Sequence, residues 1–214
     1  MADSLRLIRI PVGRMGNFAY LAGDAASGEA VVVDPGWDGE ELIRRASQEE
    51  LTIRAVLLTH GHYDHSGQAR AMTDLLNVPA YVDPRDEALL PARPARLLWP
   101  ADGLIPVIPQ VSIKAIHTPG HTQGSNCFLI NDKHLLTGDT LFVGACGRCD
   151  LETSDPEEMY RSLSERLGYL ADDVKVYPGH DYGDTPASTM GNERRTNPYL
   201  MCTSLERFLR MRSG

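Results

Sequence analysis

Along this chain, apolar residues gather in short runs punctuated by glycine, proline, asparagine and aspartate, a rhythm that predicts strands interleaved with helices. Leu5 to Val12, Asn17 to Leu21 and Glu29 to Asp34 read as strands, with a hairpin turn region from Gly23 to Gly28. Residues 38 to 49 read as a helix, because Leu42, Ile43 and Ala46 fall on one face. Arg54 to Thr59 is a short apolar run of the kind that makes a buried strand, and Ser66 to Leu76 reads as a helix closed by Asn77 and Pro79. In the second half, Ile113 to Ile116, Asn126 to Ile130 and His134 to Thr137 read as strands, the last two joined at Asn131-Asp132-Lys133. Asp155 is placed to cap a helix that opens on Pro156, Glu157 and Glu158 and runs to about Leu167. Val174 to Tyr177 supplies a last strand and Ser204 to Met211 a terminal helix. Two similar halves, each pairing strands with helices, predict two mixed β-sheets face to face with helices outside. That is an αβ/βα four-layer sandwich, with residues 1–214 as a single domain.

Pro84 to Pro109 breaks the rhythm. It holds six of the fourteen prolines, which block regular hydrogen-bond ladders, so an ordered but irregular loop is expected. Two roles fit it: a rim or lid with Leu98 or Trp99 touching substrate, or a surface crossover packed on the second sheet.

Composition narrows the function classes. A net charge of -8 disfavours a polyanionic partner such as nucleic acid. No apolar run approaches the roughly 18 residues of a membrane span. The first ten residues mix charges among the apolar positions and lack a signal-peptide core, which points to the cytoplasm. Cys127, Cys146, Cys149 and Cys202 do not read as a disulfide framework in a chain of this size. Cys146-Gly-Arg-Cys149 has redox spacing, but it lies in a glycine-rich loop beside Asp150 rather than opening a helix after a strand, so reduced thiols are expected.

The chemistry concentrates in His60-Gly-His62-Tyr-Asp64-His65, which places four possible metal ligands in six residues just past a predicted strand. Open α/β sheets place their sites at such carboxyl ends. Alternate residues there can face one way, so His60 and His62 are able to share a cation while Asp64 and His65 turn toward a second. His121, Asp139 and His180 each stand beside a glycine at a predicted strand end. Imidazole and carboxylate donors suit zinc, iron or manganese. Asp34 is placed to orient a ligating imidazole or to cap a turn. His117 reads as a strand residue with a satisfied ring, His134 as a solvated one, and Arg194 and Arg195 as a solvated helix face.

Taken together, the His-x-His-x-Asp-His motif and the later His121, Asp139 and His180 resemble the metallo-β-lactamase superfamily over most of the chain. The resemblance implies that His60, His62 and His121 hold one divalent ion, that Asp64, His65 and His180 hold a second, and that Asp139 bridges both. Two such ions, zinc in the first place with iron or manganese as alternatives, would generate a bridging hydroxide that Asp64 orients. Thr137 to Arg148 and Thr118 to Ser125 resemble glyoxalase II, which implies a small-molecule thioester of the S-2-hydroxyacylglutathione type as substrate. On that resemblance Asp64 and Asp139 are catalytic, and Arg148 and Tyr182 hold the anionic thiol carrier; an ordinary ion pair of Arg148 with Asp150 or Glu152 is the other reading. Only 34 residues follow His180, too few for the helical C-terminal domain of the longer glyoxalase II enzymes, so the short bacterial members are the nearer comparison. Gly147 to Asp150, His180 to Tyr182 and Ser188 to Pro198 resemble the persulfide dioxygenases, and imply as the alternative one Fe(II) on His60, His121 and Asp139.

Overall fold

The computed structural model of the chain describes residues 4–99 and 103–212. In the first half, β1 (Leu5–Val12), β2 (Asn17–Asp24) and β3 (Glu29–Val33) form an antiparallel meander. Helix α1 (Gly39–Gln48) then crosses to β4 (Thr52–Leu57), which runs parallel to β3. Helices α2 (Tyr63–Ser66) and α3 (Ala69–Leu76) follow, and two short parallel strands, β5 (Ala80–Tyr81) and β6 (Leu97–Leu98), complete a six-stranded mixed sheet.

The second half opens with β7 (Ile113–His117), β8 (Asn126–Ile130) and β9 (His134–Gly138). A small hairpin, β10 (Leu141–Phe142) with β11 (Ala145–Cys146), precedes α4 (Pro156–Arg161), which continues as a π-turn over Ser162–Arg166. Strands β12 (Lys175–Pro178) and β13 (Ser188–Thr189) lead into α5 (Met190–Thr196) and α6 (Leu205–Arg212). The second sheet is ordered β13-β12-β9-β8-β7 and is again mixed.

The layers follow from the two-residue period of the strands. In β3, Ala30 and Val32 join Leu42, Ala46 and Met72 in a core beneath α1 and α3, while Val31 and Val33 face the second sheet. In β8, Phe128 and Ile130 meet Val31 and Leu57 between the sheets, and Cys127 and Leu129 point outward to Met159 and Phe208. Helix, sheet, sheet and helix therefore stack as the sequence predicts.

Several local expectations need correction. The predicted helix from Ser66 to Leu76 is two helices, because the chain turns at Gly67, where a Cβ would stand 2.6 Å from the Gly36 carbonyl and 2.7 Å from that of Tyr63. His134 is not solvated: its ring stacks on Tyr177 and shares a 3.1 Å hydrogen bond with the Tyr177 hydroxyl. Arg194 is not free on a helix face, since its guanidinium pairs with Asp172. The proline-rich segment is a crossover rather than a lid. It makes a 3₁₀ turn over Pro84–Leu89, capped by Asp83, adds β6 to the first sheet, and fills the space between the sheets with Ile105 and Ile108. Leu98 pairs with Tyr81 at the sheet edge, and neither Leu98 nor Trp99 reaches the cavity described below.

The carboxyl ends of β3 and β4, neighbours in the first sheet, are tied together by one side chain. Asp34 adopts a left-handed backbone (φ 53°), and its carboxylate accepts hydrogen bonds from the Thr59 amide (2.7 Å) and hydroxyl (2.6 Å) at the end of β4. Gly36 then packs against α2 so closely that a Cβ would lie 1.7 Å from the Asp64 carbonyl oxygen. We expect Gly36→Ala to push α2 away from β3 and to lower the unfolding free energy by about 3 kcal/mol, measured by urea denaturation.

Candidate metal centre

Loops at the carboxyl ends of β4, β7, β9 and β12 deliver His60, His121, Asp139 and His180 to one place between the sheets, and α2 adds Asp64 and His65. Donor atoms of His60, His62 and His121 lie within 4.8 Å of one another, as do those of Asp64, His65 and His180, and those of His60, His65 and Asp139. Asp139 stands between the first two groups. Its Oδ1 is 3.3 Å from His65 Nε2, and its Oδ2 is 3.4 Å from His180 Nε2 and 3.6 Å from His121 Nε2.

Each ring but one is fixed from behind. His65 Nδ1 faces the Asp34 carboxylate (3.1 Å), His121 Nδ1 the Arg148 carbonyl (2.9 Å), His180 Nδ1 the Met15 carbonyl (3.1 Å), and His60 Nδ1 the Thr59 hydroxyl (3.1 Å). A carbonyl or carboxylate facing Nδ1 accepts a hydrogen bond from its N–H, so that Nε2 of the neutral ring is the lone-pair donor aimed inward. The inward atoms crowd one another: His62 Nδ1 and His121 Nε2 at 3.0 Å, His65 Nε2 and His180 Nε2 at 3.1 Å. Among the described residues, buried His60 Nε2 has no hydrogen-bond partner, and Asp139 Oδ1 has only the His65 ring nearby, at 3.3 Å. Ligands about 2.0–2.1 Å from a tetrahedral ion stand about 3.3–3.4 Å apart, close to the spacings found here. The donor set therefore fits divalent cations, and His60, His62, Asp64, His65, His121, Asp139 and His180 are the residues able to hold them.

Electrostatics are consistent with that fit. Burial, reinforced by neighbouring His65 and His121, holds the His60 ring well below the ordinary imidazole range, and burial with His121 lowers His62. Burial would also lower His65, but the Asp139 and Asp34 carboxylates outweigh it and raise that ring well above its ordinary value. Burial works against ionised Asp139, yet His65 and His180 keep its carboxyl far below the usual range. A divalent ion would replace the proton that His65 holds against Asp139.

Asp64 is oriented by a relay: Trp37 Nε1 donates to Asn17 Oδ1 (3.2 Å), and Asn17 Nδ2 donates to the Asp64 carboxylate (3.1 Å). Tyr182 stacks on His180, with centroids 4.6 Å apart, and its hydroxyl donates to the Met15 carbonyl. Asp64, His62, His121, Asp139 and His180 form the floor of a cavity of about 560 Å³, walled by Met15, Tyr63, Phe142, Leu151 and Tyr182 and bordered by Arg148 and Arg212. That volume lies within the range of small-molecule sites. Arg148 makes a two-pronged pair with Asp150 (2.8 Å each), the ordinary ion pair that was the other reading of this residue. His117 is a strand residue whose Nε2 donates to the Gln123 carbonyl, away from the centre.

Sequence reasoning missed four contributors. Arg212, in the last described turn of α6, borders the cavity with a buried Nε that has no partner among the described residues. Asp86 is fully buried behind the histidine loops. Glu193 and Asn197 brace the β10–β11 hairpin: Glu193 accepts from the Gly144 amide (2.9 Å), and Asn197 donates to the Ala145 carbonyl (3.0 Å). Lone polar residues carry no sequence signal of burial.

Comparison with known proteins agrees with the geometry. The family described as "Metallo-beta-lactamase superfamily" matches residues 12–180. The probable polyketide biosynthesis zinc-dependent hydrolase BaeB of Bacillus velezensis is 32% identical, over 92% of this chain and 87% of that protein. Hydroxyacylglutathione hydrolase GloC of Haemophilus influenzae is also 32% identical, over 80% of this chain and 87% of that protein. The crystal structure of ETHE1 from Myxococcus xanthus superposes with a TM-score of 0.85 at 27% identity, covering 98% of this chain and 90% of that one.

The Cys146 and Cys149 thiols are free, and burial pushes them up to about 12 and about 11. A redox thiol requires the opposite shift. Alkylation of Cys149 by iodoacetamide at pH 8 should run about 100-fold slower than for an unperturbed thiol, and accelerate about tenfold per pH unit up to about pH 11, followed by mass spectrometry.

Proposed function

The chain belongs to the metallo-beta-lactamase superfamily, and on that footing we propose that it is a binuclear metallohydrolase that cleaves an acyl-thiol substrate, most like glyoxalase II. The observation that carries this reading is the seven-donor centre, its ring nitrogens crowded inward at the floor of an open cavity. The zinc named in the BaeB relative's description supports zinc as the native metal. Held by the seven donor residues, two such ions would supply hydroxide near neutral pH and would polarise the thioester carbonyl.

The chain's own residues do the rest. Asp64, held by Asn17 and Trp37, accepts the proton of the attacking water and aims it at the carbonyl. Asp139 keeps the two donor groups in register from its place between them. Phe142 and Leu151 shelter the acyl-thiol segment, and their low polarity strengthens the electrostatics at the floor. Tyr182, stacked on His180, sets one side of the channel.

For the thiol carrier, Arg148 is already engaged with Asp150, whereas Arg212 has the Tyr199 hydroxyl (3.3 Å) and ring as its neighbours and no carboxylate in ion-pair range among the described residues. A guanidinium so placed favours a carrier that ends in an anion. The substrate is thus a small-molecule thioester with an anionic carrier; neither nucleic acid nor a membrane is expected as partner, and the cytoplasm is the compartment that the sequence favours. Among the described residues no helix is long and apolar enough to cross a membrane.

The alternative, a mononuclear Fe(II) persulfide dioxygenase on His60, His121 and Asp139, draws on the likeness of residues 147–150, 180–182 and the tail at 188–198. That tail contributes Glu193 and Asn197, which brace a hairpin rather than touch the donors, so it favours neither chemistry.

Protein purified anaerobically without added metal should carry about two equivalents of zinc, iron or manganese by plasma mass spectrometry and release thiol from S-2-hydroxyacylglutathione-type thioesters. One equivalent of iron, with oxygen consumed in the presence of glutathione persulfide, would move the assignment to the dioxygenase. Asp139→Ala should abolish turnover while leaving the circular dichroism of the fold intact. Arg212→Leu should raise KM for an anionic thioester about tenfold, equivalent to about 1.4 kcal/mol, and leave kcat and the KM of an esterified, uncharged analogue unchanged.

A further inference from the structure

The proline-rich crossover does not cover the cavity, yet it sends one carboxylate into the interior beneath it. Asp86, in the 3₁₀ turn Pro84–Leu89, is 0% exposed. It makes no ion pair among the described residues. Its charge is met by three donors from two other segments: the Gly61 amide at 2.9 Å and the Thr122 hydroxyl at 2.6 Å on Oδ2, and the Gly124 amide at 2.7 Å on Oδ1. Gly61 lies between His60 and His62, and Thr122 directly follows His121. Such charge-assisted bonds are short and strong, and their loss in a buried setting leaves unsatisfied groups on both sides.

Backbone packing adds to the constraint. A Cβ on Gly124 would stand 2.6 Å from the Asp86 carboxyl carbon, so the loop presses directly onto the carboxylate. The second donor group stands on other supports: Asp34 behind His65, Asn17 beside Asp64 and the Met15 carbonyl behind His180. Asp86 touches none of these.

We propose that Asp86 is a positioning residue for one metal only, clamping the loop that carries His60 and His62 to the loop that carries His121, so that the site of these three histidines has its own buried anchor. The proposal rests on the two-metal reading. It gives the crossover a purpose that neither a lid nor a passive connection supplies, because the turn that Asp83 caps delivers Asp86 between the two loops.

The test is a titration of metal-free protein with Zn²⁺ against a competing chelator, and with Co²⁺ followed by its visible absorption. His121→Ala and His180→Ala assign the two binding steps. In Asp86→Asn the step assigned by His121→Ala should weaken about 10–100-fold, while the step assigned by His180→Ala stays within about twofold of wild type. Thr122→Val removes one donor from the clamp without removing the carboxylate, and should weaken the same step by a smaller factor. It keeps the test decisive if Asp86→Asn fails to fold. Equal weakening of both steps, or of neither, in the folded variant would overturn the proposal, since a merely structural lesion does not discriminate between the sites. A wild-type protein that takes up one ion or none would instead overturn the two-metal reading.

Discussion

A carboxylate buried among imidazoles governs this structure. Asp139 lies between the two donor groups, within 3.3–3.6 Å of His65, His121 and His180, in a space that the sheets close on both sides. Burying an ionised carboxylate costs several kcal/mol unless its partners are held in good geometry. The histidines cannot therefore relax one at a time, and four of the five are pinned by an acceptor from a different part of the chain: His65 by Asp34, His60 by Thr59, His180 by Met15 and His121 by the Arg148 carbonyl. Even the unfavourable left-handed backbone at Asp34 becomes intelligible, because it lets one side chain serve both the end of β4 and the His65 ring.

The fold was legible where its physics is local. Strands buried on both faces appear as unbroken apolar runs, and a helix cap such as Asp155 announces itself by residue type and by the proline after it. The donors were legible because metal chemistry restricts ligand types and because His60 to His65 crowd them into one loop. What escaped was non-local. Gly67 divides a predicted helix only because Gly36 approaches from another segment. The stretch at 188–198 becomes a strand and helix in contact with the β10–β11 hairpin, which no periodicity announces. Asp86 looks like any surface aspartate in a proline-rich loop, and its burial is a property of the folded chain alone.

Donor frame and cavity wall come from different parts of the molecule, and this separates two kinds of change. The frame rests on strand ends, on Asp34 and on the loops behind His62 and His121, all deep in the packing between the sheets. The wall is built from Met15, the β10–β11 hairpin, Tyr182 and the end of α6, elements attached to the frame through a few side-chain contacts such as those of Glu193 and Asn197. Replacing a wall residue alters the shape and charge of the cavity without loosening a donor, whereas replacing a supporting residue of the frame alters the centre and leaves the wall in place. Relatives described as a polyketide biosynthesis hydrolase and as a hydroxyacylglutathione hydrolase stand at the same 32% identity to this chain. In this chain, then, the buried centre and the wall above it rest on different contacts, so either can be altered while the other keeps its own supports.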